Sequence, residues 1–392
     1  MEIFSYLSHP LVGDFRSVAA ELCTIQFHAF CSRAQEAVKQ GRHAPLLEQV
    51  AQRLAAQPSS IAYWTPEVSW IYAGMQGMRA DACEGTKQDW VAAQVATAAF
   101  LTGVLDRIHM RVDIAEPILI AGRTFVGALT LDGSADRLCV RAAGGAETTF
   151  VAIAGRDDMR VWIEPSASRT RLLSVEGHPA VRLVGSDWHA SRWIGQPCDD
   201  APAEAAAAQI EDALALLRDV APEYHDWVTC LLKEITPLRR PAPNMIASNS
   251  SALRMGGIDL ATPASATETV EMLVHECTHQ YYHMCSWMGS TVVPDAKPYF
   301  SPLKQCERPL DRILLGYHAF GNAMIVFDRL AGKGMAADIQ DRWRTVSAYM
   351  DQLVTPLRDP AQLSELGVAL FAPLHARLEQ LDHRRPPTSA AA

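Results

Sequence analysis

The stretch from Val270 to His283 constrains this chain more than any other. It reads as one continuous helix carrying His275, Glu276 and His279 in the pattern H-E-x-x-H. On an α-helix His275 and His279 stand about 6 Å apart along the axis on a single face, so two imidazoles can converge on one metal ion. The flanks predict this helix independently of the motif. Thr262 and Pro263 close the preceding segment, Ser265 with Glu268 makes the pattern of a capping box, and Gly289 is a stop signal. Val270, Leu273, Val274, Cys277, Tyr281, Met284 and Met288 share one arc of the helical wheel, whereas His275, His279 and His283 take the opposite side. The apolar arc is expected to face a core and the histidines a cavity. Histidines at this spacing without a metal would be ordinary core or surface residues, and the cap and opposed faces favour the metal. His283 lies about 12 Å along the axis from His275, too far for one compact shell, and reads as an outer or structural residue.

Composition narrows the classes of partner. The 392 residues, 49% of them hydrophobic, suffice for one large domain with insertions or roughly two to three modules. A formal net charge of −9, with no long Lys/Arg run, argues against a nucleic-acid surface. Residues Met1 to Pro10 lack a basic segment followed by an apolar core, and no run approaches the ~20 apolar residues that span a bilayer. A cytoplasmic protein with no membrane partner is expected. The nine cysteines include no C-x-x-C and fit reduced thiols in a reducing compartment. Nothing in the sequence sets the oligomeric state.

Along the chain, residues 1–115 read mainly as helix, with helical spacing from Ser32 to Gln57 and from Thr86 to Met110. Trp64, Trp70 and Tyr72 read as core aromatics where helices meet rather than as a pocket lining. Residues 116–202 are β-rich. Ile118–Ala121, Thr124–Leu131, Leu138–Ala142, Thr148–Ile153, Val161–Glu164, Arg171–Val175 and Ala180–Val184 suggest one antiparallel meander, and an irregular stretch with Trp188, His189 and Trp193 follows. Residues 203–384 hold helices Ala203–Val220 and Tyr224–Thr236, then two short strands, Asn244–Asn249 and Gly257–Leu260, directly before the histidine helix. Such strands can edge a cleft to which an extended peptide adds by main-chain hydrogen bonds. Helices are expected from Pro309 to Leu330, Met335 to Thr355 and Pro360 to Leu381, and residues 385–392 read as a disordered tail.

A two-histidine helix needs at least one more protein ligand to make an open catalytic site. Glu307 and His318 are the candidates. Pro309 places Glu307 before the next helix, on a loop end, whereas His318 sits inside that helix among Leu314, Leu315, Ala319 and Phe320. An isolated histidine there would be a core residue; beside a helix already offering two imidazoles, it is the favoured third ligand.

Four blocks together resemble one family: Val274 to His279, Tyr299 to Lys304, Glu307 to Leu310, and Gly316-Tyr317-His318-Ala319-Phe320. The chain is similar here to the 2-oxoglutarate-dependent H-E-x-x-H peptide β-hydroxylases, also described as H-E-x-x-H motif-containing putative peptide modification proteins. The similarity covers roughly residues 240–330. It implies a zincin-like helical site using Fe(II), with His275, His279 and His318 as metal ligands. Three ligands leave three octahedral positions, two for 2-oxoglutarate and one for O₂. Arg308 is the expected anchor for the distal carboxylate of 2-oxoglutarate, since guanidinium meets carboxylate with two parallel hydrogen bonds; Lys304 or Arg312 are the alternatives. The implied partner is a peptide, such as a ribosomally made precursor, hydroxylated at a β-carbon of one residue.

The expected fold class is therefore α+β, mostly helical, with a β-rich middle section and a zincin-like helical metal-binding domain. Two rival functions stay open. A zinc metallopeptidase would use His275, His279 and Glu307 as ligands and Glu276 as general base; in the oxygenase Glu276 would instead orient the site. A non-catalytic module stabilised by metal would need neither O₂ nor 2-oxoglutarate.

Overall fold

In the computed structural model the described residues are 2–38, 41–77, 84–156, 159–166, 171–185, 202–240 and 247–381. After a 3-10 turn at Glu2–Leu7, four helices open the chain: α1 (Phe15–Val38), α2 (Ala44–Ala55), α3 (Pro66–Gly77) and α4 (Glu84–Leu101). The strands β1 (Arg107–Ile120), β2 (Arg123–Ser134), β3 (Arg137–Ala142), β4 (Glu147–Ala154) and β5 (Arg160–Ile163) form an antiparallel meander.

The helix expected from Thr86 to Met110 is therefore corrected: α4 stops at Leu101, and the expected boundary between residues 115 and 116 falls inside β1. Gly103, at φ +82°, turns the chain between them. From Arg107 to Ile114 exposed and buried residues then alternate, with Ile108, Met110, Val112 and Ile114 inside. That period of two makes a half-buried strand, and it wins over the helix-forming composition just upstream.

A second correction concerns the last two strands of the expected single meander. β6 (Arg171–Val175) and β7 (His178–Leu183) leave the first sheet and join a second one. Helices α5 (Ala203–Val220) and α6 (Pro222–Leu231) intervene before its remaining strands, β8 (Glu234–Arg239), β9 (Ser248–Ser250) and β10 (Gly257–Thr262). The order is β6-β7-β8-β10-β9; β7, β8 and β10 run parallel, and β6 and β9 run antiparallel to their neighbours. A parallel β7–β8 pair needs a long crossover, which α5 and α6 supply. Glu234 to Thr236, expected to end a helix, lies in β8 instead. The segment is buried along both faces, as suits the middle of a covered sheet.

The remaining elements are α7 (Ala266–Ser286), the hairpin β11 (Tyr299–Ser301) and β12 (Cys306–Arg308), α8 (Leu310–Leu330), α9 (Ala336–Leu357) and α10 (Glu365–Leu381). α7 packs against α1, α5, α6, α8, β9 and β10, so it lies across the second sheet with helices around it. The fold is a mixed α+β arrangement, and no helix among the described residues is long and apolar enough to cross a membrane. The stretch 186–201 with Trp188, His189 and Trp193, the first half of the expected strand Asn244–Asn249, and the tail 385–392 lie outside the described residues.

Two kinds of buried polar contact lock the parts together. Trp64 and Trp70 are core residues; Trp64 donates its indole N–H to Gln280 Oε1 at 3.0 Å, and Trp70 and Trp90 both donate to the Pro117 carbonyl. Between sheet and helices runs a chain of buried charges. Arg182 on β7 pairs with Glu67 of α3 (3.2 Å) and with Glu234 of β8, and Arg254 pairs with Asp259 of β10 (2.6 Å) and donates to Thr236 (2.8 Å). Each charge has a partner, as burial at this depth demands.

Candidate metal centre

The scaffold of the site is α7, and its start is fixed by chemistry that the sequence predicts. The Glu268 N–H donates to Ser265 Oγ (3.2 Å) and the Ser265 N–H to Glu268 Oε2 (2.8 Å), a complete capping box. Arg240 holds the Glu268 carboxylate at 2.7 Å. The helix ends at Ser286, a turn before the expected stop at Gly289. Val270, Leu273, Val274, Cys277, Tyr281 and Met284 are fully buried, as the apolar arc requires.

The histidine side of α7 faces other protein as well. His275 and His279 are partly buried, with ring centroids 4.6 Å apart, and Phe320 of α8 packs edge-on against His275 at 4.6 Å. His283 is buried, its ring 6.3 Å from His279. Burial holds His275 and His283 neutral, lowering each pKa to about 3. Burial also lowers His279 well below its ordinary value, with added repulsion from His275, His283, His318 and Arg312. Neutral imidazoles are the form that binds a metal.

His318 lies on α8, completely buried, and Tyr282 of α7 stands between the helices with its ring 6.3 Å from that of His318. Tyr282 also ties α7 to the start of α8, its hydroxyl donating to the Asp311 carbonyl at 2.8 Å. Glu307 is exposed on β12, opposite Phe300 in the hairpin, so the rival carboxylate ligand belongs to a solvent-facing strand.

The Glu276 carboxylate is held by β9. Ser248 Oγ and Ser250 Oγ each donate to one of its carboxylate oxygens at 2.6 Å. Burial pushes its carboxyl up to about 7, against the lowering effect of those two hydroxyls. The three cations proposed for the cosubstrate differ in placement. Lys304 and Arg312 are exposed and Arg308 is partly buried; of the three, Arg312 is the one whose charge reaches both His279 and His283. A further cation unforeseen in the sequence, Arg342 of α9, lies near His275 and grips both carboxylate oxygens of Glu271.

The donor set suits a divalent transition metal in one decisive respect. His279 Nδ1 and His318 Nδ1 are both buried and without a hydrogen-bond partner, a costly state for a ring nitrogen; at His318, whose Nε2 faces carbonyl oxygens, Nδ1 is an acceptor that a cation would satisfy. The three nitrogens are not, however, drawn together within 4.8 Å of one another. Among the described residues that spacing is met by Glu176, His225 and Asp226. Those three make a poor cation site, because Arg156 stands 3.5 Å from Glu176 and 3.3 Å from Asp226, and Arg16 is also 3.5 Å from Asp226. A guanidinium already supplies the positive charge there.

Sequence reasoning missed the serine pair and the partners of His318. Ser248 and Ser250 alternate along a strand, which was the available signal for a shared face. Asn322, four residues after His318, follows the same helical logic as the histidine pair.

Fold and site together define a mixed α+β protein in which partly buried His275 and His279 and buried His283 on α7 face protein beside buried His318 on the packed helix α8. Compared with models of known families and with curated proteins, the chain finds no match.

Proposed function

We propose that the chain is an Fe(II)/2-oxoglutarate-dependent oxygenase that hydroxylates a β-carbon in a peptide, with a zincin-like metal domain and His275, His279 and His318 as ligands. The observation that carries this reading is the pairing of a buried His318, whose Nδ1 lacks a partner, with a solvent-exposed Glu307. An imidazole as third ligand suits an open iron site, whereas the peptidase reading wants the carboxylate.

When bound, iron with 2-oxoglutarate and O₂ supplies the oxidising chemistry. The protein's own groups bind, orient and exclude water. Arg312, or Arg308 at the end of β12, offers a guanidinium for the cosubstrate's distal carboxylate. Phe320 shields His275, and Glu276, held by Ser248 and Ser250, couples the histidine helix to β9. β9 closes the second sheet at one end and pairs on one side with β10, so its outer edge is where an extended peptide would add.

The test is anaerobic reconstitution with Fe(II), then 2-oxoglutarate and O₂, following succinate and the masses of a short-peptide library. Succinate formation with a gain of one oxygen atom on a peptide is the expected result. The peptidase reading is favoured by one feature, a Glu276 carboxyl near 7 as a general base requires. Peptide cleavage without 2-oxoglutarate, abolished in Glu276→Gln, would establish that reading in place of the oxygenase.

A further inference from the structure

We infer that the backbone carbonyl of Ser8, fixed in place by Asn322 and α10, locks His318 with its hydrogen on Nε2 and so selects Nδ1 as the metal-binding nitrogen. The inference rests on reading His318 as a metal ligand. It adds which atom binds and which residues position it.

The geometry leaves one tautomer. His318 Nε2 lies 2.8 Å from the Ser8 carbonyl oxygen and 3.1 Å from that of Leu7. A carbonyl oxygen can only accept, so Nε2 must carry the hydrogen. A neutral imidazole has a single N–H, so the lone pair resides on Nδ1, the buried atom that has no protein partner. Metal-bound histidines characteristically donate their other ring N–H to a carbonyl or carboxylate, which fixes ring and tautomer together.

The carbonyl is itself held from two sides. Asn322, one turn beyond His318, donates from Nδ2 to the Ser8 oxygen at 3.0 Å and to the His318 carbonyl at 2.9 Å, and its Oδ1 accepts from the Tyr224 hydroxyl at 2.7 Å. The Ser8 hydroxyl donates to the Leu370 carbonyl (2.6 Å) and accepts from the Leu374 N–H (3.2 Å), both on α10. Ser8, His318 and Asn322 are each 0% exposed, so water cannot replace these contacts. Asn322 is thus a positioning residue, acting on the metal through His318.

Nitrogen-15 NMR of the full-length protein labelled at histidine tests this without enzymatic turnover, first metal-free and then with Zn(II) alone. The His318 signals are assigned by their loss in His318→Gln or, if that variant does not fold, by correlation across the hydrogen bond to a carbon-13-labelled Ser8 carbonyl. The expected result is a proton on Nε2 before metal and a Zn(II)-induced shift at Nδ1. Asn322→Ala should weaken Zn(II) binding by ~10–100-fold and broaden or mix the His318 tautomers. A proton on Nδ1, or a Zn(II) shift at Nε2, would overturn the inference while His275 and His279 still responded to metal. No response from any of the three histidines would overturn it together with the metal site.

Discussion

Ser8 and His318 lie 310 residues apart in sequence, yet the carbonyl of one receives the ring N–H of the other at 2.8 Å in a fully buried setting. The first turn of the chain thus becomes part of the environment of a residue on α8. The candidate site draws on the whole length of the molecule, and the consequences can be measured.

Metal binding comes first. Replacing His275 or His279 with alanine should reduce Fe(II) or Zn(II) affinity by more than the ~10–100-fold typical of an outer-shell change. Circular dichroism should remain that of the native fold, since both rings are only partly buried. Equilibrium dialysis with metal analysis measures the effect; unchanged affinity in both variants would remove the site.

Cosubstrate binding separates the cations. Arg312 acts on two histidines at once, so Arg312→Ala should cost 2-oxoglutarate a charge-assisted hydrogen bond, a loss of roughly 10–100-fold in affinity. Lys304→Ala, at an exposed position on the hairpin, should change it little. Calorimetric titration of the metal-loaded protein distinguishes them. A larger loss for Arg308→Ala than for Arg312→Ala would move the anchor to β12.

Acid stability should depend on His9. Burial is the main cause that lowers its pKa from 6.5 to about 4, helped by Arg377 and opposed by a hydrogen bond to Pro373. Between those values the unfolded chain holds a proton on His9 and the folded chain does not, so stability is complete above 6.5 and falls as pH drops towards 4. The difference amounts to roughly 3 kcal/mol. Urea unfolding at either end of that window should show His9→Gln losing this share of the pH dependence.

Arg182 neutralises two buried carboxylates, Glu67 and Glu234, from different elements. Arg182→Met should destabilise the protein by about 3–5 kcal/mol, because it leaves buried Glu67 without a counter-charge and Glu234 with only Arg254 at 3.8 Å. Adding Glu67→Gln should restore part of that loss. A urea midpoint for Arg182→Met equal to that of the native protein would show that the pair contributes nothing.

Much of the fold was legible where the rule is local. The Ser265–Glu268 cap, the Ala203–Val220 helix and strands β2 to β5 follow from patterns spanning a few residues. The errors arise where a local signal is shared between two structures or where the partner is remote. Residues 107–110 follow a strongly helical stretch and could be read as its continuation, and only alternation across Arg107–Ile114 reveals a strand. The transfer of β6 and β7 to the second sheet is set by pairing with β8, some fifty residues downstream, which no window of sequence contains. In the site, the helical spacing made His275 and His279 visible, and Pro309 correctly separated Glu307 from α8. The Ser8 carbonyl left no trace, because a backbone acceptor has no side-chain signature.

The shared second sheet also limits how the molecule can be divided. A fragment starting at residue 203 would keep α7 and α8 but lose β6 and β7, leaving the buried residues of β8 on a bare, sticky strand margin. It would lose Leu7 and Ser8 as well, and with them the acceptors opposite His318. Excision of the histidine-bearing half should therefore yield aggregates rather than a minimal folded unit, and evolution can shuffle this half only together with the hairpin that borders it.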